Sequence, residues 1–184
     1  MINISYQGFD MRRLLTVTLT GMAAAPLAGT AMAADLSVKV ELPQLAVAEY
    51  HRPYVAMWIE HTDQTPVSTL AVWYDGKKPN AEGTKWLKDL RQWWRKAGRD
   101  LTVPADGITG ATKVPGEQAL TFTDGKAPLG KLSAGDYQLV VETAREAGGH
   151  ELVRVPFTWP PKAPATASAK GEHELGSVTV NLKP

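Results

Sequence analysis

The chain has 184 residues, with 20 Lys and Arg against 19 Asp and Glu, and it contains no Cys. The lack of Cys excludes disulfides, a C-x-x-C-H haem attachment and a cysteine-ligated iron–sulfur cluster. The near-neutral charge gives no basic footprint for nucleic acid, so we expect no nucleic-acid partner. A redox protein of this composition needs an organic cofactor, a His-ligated metal or a haem.

The first 33 residues have the features of an export signal. A short positive region, Arg12-Arg13, precedes a mostly apolar run over 14–27, and Ala31-Met32-Ala33 forms an A-x-A cleavage site. We therefore predict a signal peptide over 1–33, cleaved after Ala33, and a periplasmic location. The paired arginines are a feature of export by the twin-Arg route, but the residues around them favour general secretion.

The remaining residues, 34–184, have the length of one domain. Cleavage removes two Arg and one Asp, which leaves 18 cationic and 18 anionic side chains and a formal charge of zero. The apolar run of the leader is short and rich in Ala and Gly, which argues against a membrane anchor.

Most apolar patterns in the mature chain have a period of two residues. Residues 36–42 alternate apolar and polar side chains, as a strand with one buried face does. Residues 53–61 are mostly apolar at both odd- and even-numbered positions, which predicts a central strand that is buried on both faces. Residues 67–74 follow after a polar turn, and we predict that they pair with it as a hairpin. Later segments complete a set of seven strands: 118–123, 137–144, 151–158 and 175–182.

One segment has the periodicity of a helix. Thr84 is a candidate N-cap and Gly98 a candidate C-terminal stop. We expect its apolar stripe to pack on the sheet rather than to form a partner surface. The stripe, at a period of 3.6, consists of Trp86, Leu87, Leu90, Trp93, Trp94 and Ala97.

Seven short strands with turns between them predict a mainly β fold, an immunoglobulin-like β-sandwich with one Trp-rich amphipathic helix. Tyr137, which follows Gly135-Asp136, resembles the tyrosine corner of such sandwiches, although a β-prone aromatic residue at a strand start is an equal alternative. Residues 160–171 are rich in Pro, Ala and Ser, and we predict a surface loop there.

The segment Asp106-Gly107-Ile108-Thr109-Gly110-Ala111-Thr112 reads D-G-I-T-G-A-T. Its two Gly residues permit positive φ and close approach of a partner. Asp106 can turn the chain through a local hydrogen bond, and Thr112 supplies a hydroxyl beside the small Ala111. An ordinary surface turn of small residues is the alternative interpretation.

This segment resembles the motif D-G-x-[S/T]-G-A-T of proteins that carry FMN on Thr through a phosphoester. The resemblance implies covalent FMN at Thr112, attached by a separate periplasmic FMN transferase, so that the chain is a substrate and not an enzyme. We expect Thr112 on an exposed loop between the Trp-rich helix and the strand near Leu120. The resemblance assigns the rest of the cofactor-binding motif to Asp106, Gly107, Thr109, Gly110 and Ala111.

Most of the mature chain also resembles the DUF2271 family of exported bacterial proteins. This resemblance implies an immunoglobulin-like periplasmic domain that works with flavin transfer and with a PepSY-type membrane redox protein. The stretches that carry it are 50–60, 70–74, the Trp-rich helix, 106–116 and 135–146 with Gly148.

Other side chains give weaker indications. The four His have no H-x-x-x-H spacing, and we expect no metal site. His51 could face Glu60 or His61 across a hairpin, but a solvated or hydrogen-bonded His is the preferred interpretation.

Arg145 or Arg52 is a candidate partner for the FMN phosphate, because an Arg fork matches phosphate oxygens. The alternative for the charged strand end of Glu142, Arg145 and Glu146 is a solvated edge or an ion pair. Candidates to contact the flavin ring are Tyr50, Tyr54, Trp58, Trp73, Tyr74 and Trp94.

Two functions from different classes follow. The first is a periplasmic electron carrier that holds covalent FMN at Thr112 and exchanges electrons with a membrane redox partner. The alternative is a cofactor-free periplasmic module that docks a membrane redox or metal-uptake protein through the Trp stripe and residues 101–116.

Overall fold

The computed structural model describes residues 1–2 and 34–184. The predicted signal peptide lies outside the described residues apart from Met1 and Ile2, as does its cleavage site. Every described strand belongs to a unit that spans Met32–Pro184.

Nine strands of the described chain form two sheets, with the orders β5-β1-β9-β8 and β4-β3-β2-β6-β7. The β3–β4 pair is parallel, and the other named pairs are antiparallel. This arrangement is an immunoglobulin-like β-sandwich, which confirms the predicted fold class. The bounds are β1 Asp35–Leu42, β2 Tyr54–His61, β3 Pro66–Tyr74, β4 Thr109–Ala111, β5 Gly116–Thr123, β6 Gly135–Ala144, β7 His150–Trp159, β8 Ala165–Lys170 and β9 Ser177–Lys183.

The main core lies between the two sheets. Alternate residues of β1 face inward, as the period-two pattern predicts, and the same alternation in β2 and β6 supplies the opposite wall. Removing this apolar surface from water is the main stabilising term of the fold. Fully buried members include Leu36, Val40, Val55, Ile59, Leu139, Val141, Val178 and Val180.

Strand β2 is buried on both faces, as predicted for a central strand. Residues 54–60 are all buried, and β2 pairs with both β3 and β6. The β2–β3 hairpin is confirmed, and its turn is closed by hydrogen bonds between His61 and the backbone of Gln64 and Thr65.

A second core forms where the helical segment covers the outer face of the five-stranded sheet. Leu87, Leu90 and Trp93 are buried there, which confirms that the stripe packs on the sheet. Trp86 is the exception, since 44% of it stays exposed. The sheet contributes Tyr54, Ala56, Trp58, Val72, Tyr74, Val140 and Ala144.

The prediction of one regular helix is wrong. The segment consists of α1 (Glu82–Lys85), a 3₁₀ turn (Trp86–Asp89), α2 (Arg91–Trp93) and a π-helical turn (Trp94–Gly98). Leu90 breaks the helical path with ψ of 72°. Thr84 lies inside α1 instead of capping it, and its hydroxyl donates to the Ala81 carbonyl over 2.7 Å.

A buried carboxylate accounts for the break at Leu90. Glu142 of β6 accepts the backbone N–H groups of Gln92 at 2.9 Å and Trp93 at 2.7 Å. These donors lack partners inside a new helical segment, so an anion beside them stabilises its start. The side chain that divides the segment lies on the sheet beneath it.

The prediction of a loop over 160–171 is wrong for its second half. Residues 165–170 form β8, an edge strand that pairs antiparallel with β9. Only Ala167 and Ala169 pack against the core, and both are small. The strand therefore lacks the large apolar side chains by which strands are recognised in a sequence.

The tyrosine corner is confirmed over its alternative. The Tyr137 hydroxyl donates to the carbonyl oxygen of Ser133 over 2.9 Å, four residues upstream. This bond to the backbone just before the strand is the mark of the corner in immunoglobulin-like sandwiches. Tyr137 also stacks on Phe157 of β7, with ring centroids 5.8 Å apart.

Candidate functional site

The D-G-I-T-G-A-T segment joins the five-stranded sheet. The Ile108 carbonyl accepts the Val72 N–H over 2.9 Å, and Thr109–Ala111 form β4 alongside β3. Thr112 comes directly after this short strand, in a stretch without regular structure. The prediction that Thr112 lies on an exposed loop is confirmed for the loop, since Thr112 lies outside any strand. It is wrong for the exposure, because Thr112 is half-buried, and the three residues before it form a strand.

The turn before β4 is held by its own side chains. The Asp106 carboxylate accepts the Gly107 N–H over 3.0 Å, and Gly107 has φ of +69°. The Thr109 hydroxyl donates to the Ala105 carbonyl at 2.9 Å and accepts the Ala105 N–H at 3.0 Å. Thr109 thus closes the turn, and the other hydroxyl of the motif belongs to Thr112.

Thr112 lies on the wall of a surface cleft of about 600 Å³. The other walls come from the chain before β2, from the turn after β3 and from the turn after β6. The lining residues are Tyr50, His51, Arg52, Tyr54, Asp75, Gly76, Lys77, Lys78, Ala111, Thr112 and Glu146.

The parallel β3–β4 pair explains why these segments meet. Tyr74 is the register partner of Ala111, so the residues that follow, Asp75 and Thr112, leave the sheet at the same edge. Tyr54 begins β2 and pairs with Ala144 near the end of β6, which brings Glu146 to that edge as well. The cleft therefore lies at one end of the five-stranded sheet.

The cleft carries more positive than negative side chains. Arg52, Lys77 and Lys78 face Asp75 and Glu146 across it. Lys78 donates to Glu146 over 2.7 Å, and this hydrogen bond raises the pKa of Lys78 and lowers that of Glu146. Arg52 and Lys77 are not among the side chains that form ion pairs in the described residues.

Tyr54 lies in the wall of the cleft with its hydroxyl buried. The residue is 9% exposed, and its hydroxyl is enclosed beside the backbone of Asp75 and Gly83. Burial raises the pKa of Tyr54. The ring of Tyr54 therefore forms part of the cleft wall, while its hydroxyl faces the protein interior.

The two candidate phosphate partners lie in different surroundings. Arg145 forms a two-point ion pair with Glu174, at 2.9 Å for each nitrogen, and its side chain is 5% exposed. The ion-pair interpretation is therefore confirmed for Arg145, which does not line the cleft. Arg52 lies in the cleft with Thr112.

His51 does not face Glu60 or His61. Its ring nitrogens lie 3.0 Å from Glu49 and 3.8 Å from Glu146. Glu60 is instead buried in contact with Lys96 and Arg154. His51 is thus 33% exposed and lies beside two carboxylates, in agreement with the preferred interpretation of a solvated or hydrogen-bonded His.

Sequence analysis missed Asp75, Lys77 and Lys78 as cleft residues. They form a D-G-K-K turn immediately after β3, which by itself is an ordinary charged turn. Their relation to Thr112 depends on the parallel pairing of β3 with the three-residue β4, and so short a strand has no recognisable pattern of its own.

The fold and the cleft define a small immunoglobulin-like sandwich with a cationic cleft at one end of one sheet. The chain belongs to the DUF2271 family, described as a predicted periplasmic protein, whose model matches residues 35–177. No match was found among curated proteins or among solved structures. Among the described residues, no helix is long and apolar enough to span a membrane.

Proposed function

We propose that the chain is a periplasmic electron carrier that receives FMN on Thr112 from a separate flavin transferase. The position of Thr112 carries this proposal. The last hydroxyl residue of the acceptor-like motif lies on the wall of a cleft of about 600 Å³ that also contains cationic side chains. An FMN attached there would lie beside groups that favour its phosphate.

Thr112 has the local freedom that an acceptor needs. Transfer requires its oxygen to approach phosphorus inside the pocket of another protein, in a well-aligned geometry. Residues 112–115 have no regular secondary structure, Ala111 is exposed, and Val114 is 51% exposed. The short β4 at the sheet edge can detach at a smaller free-energy cost than a central strand.

The transfer balances as a phosphoryl exchange. The Thr112 oxygen forms a bond to the FMN phosphorus of FAD, the pyrophosphate bond to the AMP half breaks, and AMP leaves. The hydroxyl proton passes to a base of the transferase. The attached FMN then supplies one- and two-electron chemistry, while the protein sets its orientation and electrostatic surroundings. A PepSY-type membrane protein is the proposed electron partner.

The decisive measurement is intact mass after co-expression with a flavin transferase. The wild type should gain one FMN, and Thr112→Ala should gain none. Thr102→Ala removes an exposed Thr hydroxyl outside the motif and serves as the matched control. Equal labelling of the wild type and Thr112→Ala would exclude the proposed attachment site.

The exposure of Trp86 favours a second candidate function, a cofactor-free docking module. Leu87, Leu90 and Trp93 of the predicted stripe are buried, but Trp86 remains 44% exposed. Trp is enriched among the residues that contribute most binding energy at protein interfaces. A protein that stays unmodified with an active transferase, yet loses a membrane redox partner on Trp86→Ala, would support this function instead.

A further inference from the structure

The cleft beside Thr112 has two exposed cations that no described carboxylate pairs. Arg52 precedes β2 and Lys77 follows β3, so they reach the cleft from separate segments. The remaining cation, Lys78, is paired with Glu146, and this pair neutralises the charge of Glu146. Asp75 is the other carboxylate of the cleft, and it accepts the Lys77 N–H over 3.2 Å.

We propose that Arg52 and Lys77 hold the phosphate of the FMN in this cleft, with Tyr50 as a contact for the flavin ring. This inference rests on the proposed function and adds the residues that position the cofactor. A phosphate esterified on two sides keeps one negative charge, which suits a site whose cations exceed its carboxylates by one. An Arg fork can bind two of its oxygens at once.

Size and aromatic surface agree with a flavin. The cleft volume of about 600 Å³ falls within the range of small-molecule sites, roughly 300–1,000 Å³. Tyr50 is half-buried in the wall and offers a flat surface to a planar ring. Among the aromatic residues considered from the sequence, Tyr50 and Tyr54 are the two that line this cleft.

Covalent attachment lowers the affinity that such a site needs. A ligand tethered by a short linker has an effective concentration on the order of millimolar. A cleft with only millimolar affinity for free FMN would therefore be about half occupied once FMN is attached to Thr112. The test has to detect binding of this strength.

The test uses the exported chain purified without transferase, with free FMN titrated to millimolar concentration and followed by two-dimensional NMR. Shifts should concentrate in residues 50–54, 75–78 and 111–112. The double variant Arg52→Gln/Lys77→Gln should weaken FMN binding about tenfold, while Lys131→Gln, an exposed Lys outside the cleft, should bind as the wild type does. Inorganic phosphate should compete with FMN in the wild type.

Tyr50→Leu is the second variant, because it removes the half-buried ring that lines the cleft. We expect several-fold weaker FMN binding with no loss of thermal stability. No shift in the cleft segments at millimolar FMN, or equal binding by the double variant and Lys131→Gln, would overturn the inference.

The outcome can be separated from that of the proposed function. Labelling of Thr112 together with an unresponsive cleft would overturn the inference alone. A responsive cleft with no labelling of Thr112 would overturn the proposed attachment alone.

Discussion

Gly110 of β4 lies directly against the indole of Trp73, its register partner in β3. A Cβ on Gly110 would be 3.4 Å from Cδ1 of Trp73 and 3.8 Å from Nε1. The Nζ of Lys113 lies 5.4 Å from the centre of the same ring. A small residue at position 110 thus lets β4 lie close to the indole, and this packing places Thr112 at the cleft.

A branched side chain at Gly110 should disturb this placement. In Gly110→Val the Cβ already reaches contact distance from Trp73, and the two additional methyl groups overlap with the indole unless β4 or the indole moves. We expect this to lower the unfolding free energy by about 1–3 kcal/mol. Gly110→Ala adds a methyl at ordinary contact distance and is the matched control. Urea unfolding measures the cost, and intact mass measures labelling of Thr112. Equal stability and labelling for the two variants would contradict the role assigned to Gly110.

Substitutions of Gly107 test how much the backbone conformation of the turn contributes to stability. The φ of Gly107 is +69°, and no atom lies within 4 Å of an added Cβ, so the cost of a side chain is conformational. We expect Gly107→Ala to lower the unfolding free energy by about 1–2 kcal/mol. Gly107→Asn should lose less, because Asn tolerates this conformation. If Gly107→Asn lowers the unfolding free energy as much as Gly107→Ala does, the cause is steric and not conformational.

Sequence patterns predicted the elements that bury large apolar side chains. The inner residues of β1 and the doubly buried β2 follow from periodicity, because these strands bury large side chains in regular alternation. β8 was missed because ATASAK has no large apolar residue, and β4 because it has three residues. Both are edge strands, which pack on fewer neighbours.

Long-range contacts account for what the sequence did not show. The stripe of Leu87, Leu90 and Trp93 identified the buried face of the helical segment, whereas the break at Leu90 depends on Glu142, about 50 residues further along the chain. In the same way, the motif pointed to Thr112, but the cations beside it come from two distant segments. Local sequence patterns do not indicate which distant segments of the chain contact one another.

Glu142 offers a measure of one such contact. Its carboxylate accepts the N–H groups of Gln92 and Trp93, and it lies 2.6 Å from Nε2 of His150. Glu142→Gln keeps the shape but removes the charge, and we expect a loss of about 2–3 kcal/mol in urea unfolding. Glu117→Gln alters an exposed pair with Lys39 and should cost less than about 1 kcal/mol. Similar losses for the two variants would exclude this role for Glu142.

Glu60 is the second buried carboxylate beneath the helical segment. Burial acts to raise the pKa of Glu60, but hydrogen bonds from Lys96 at 2.6 Å, Arg154 at 2.9 Å and Trp58 at 3.1 Å outweigh it. The pKa of this carboxyl is therefore lower in the folded protein than its ordinary value. The charged form is bound more favourably when the chain is folded.

This direction sets the pH dependence of stability. A carboxyl with a lowered folded pKa stabilises the protein above its unfolded pKa of about 4.3, and the contribution is lost as pH falls through the folded pKa. Unfolding free energy should therefore decrease with acidification below about pH 5. The lowered pKa values of Glu151 and Glu174 act in the same direction.

Glu60→Gln isolates the share of this acid dependence that belongs to Glu60. The variant should be less stable than the wild type at pH 7, because Lys96 and Arg154 lose their charged partner. The difference between the two proteins should shrink as pH falls from 5 to 3, since the wild-type carboxyl then becomes neutral as well. Urea unfolding at each pH provides the measurement, with Glu117→Gln as the exposed control. A difference that stays constant from pH 7 to pH 3 would show that the charge of Glu60 does not stabilise the fold.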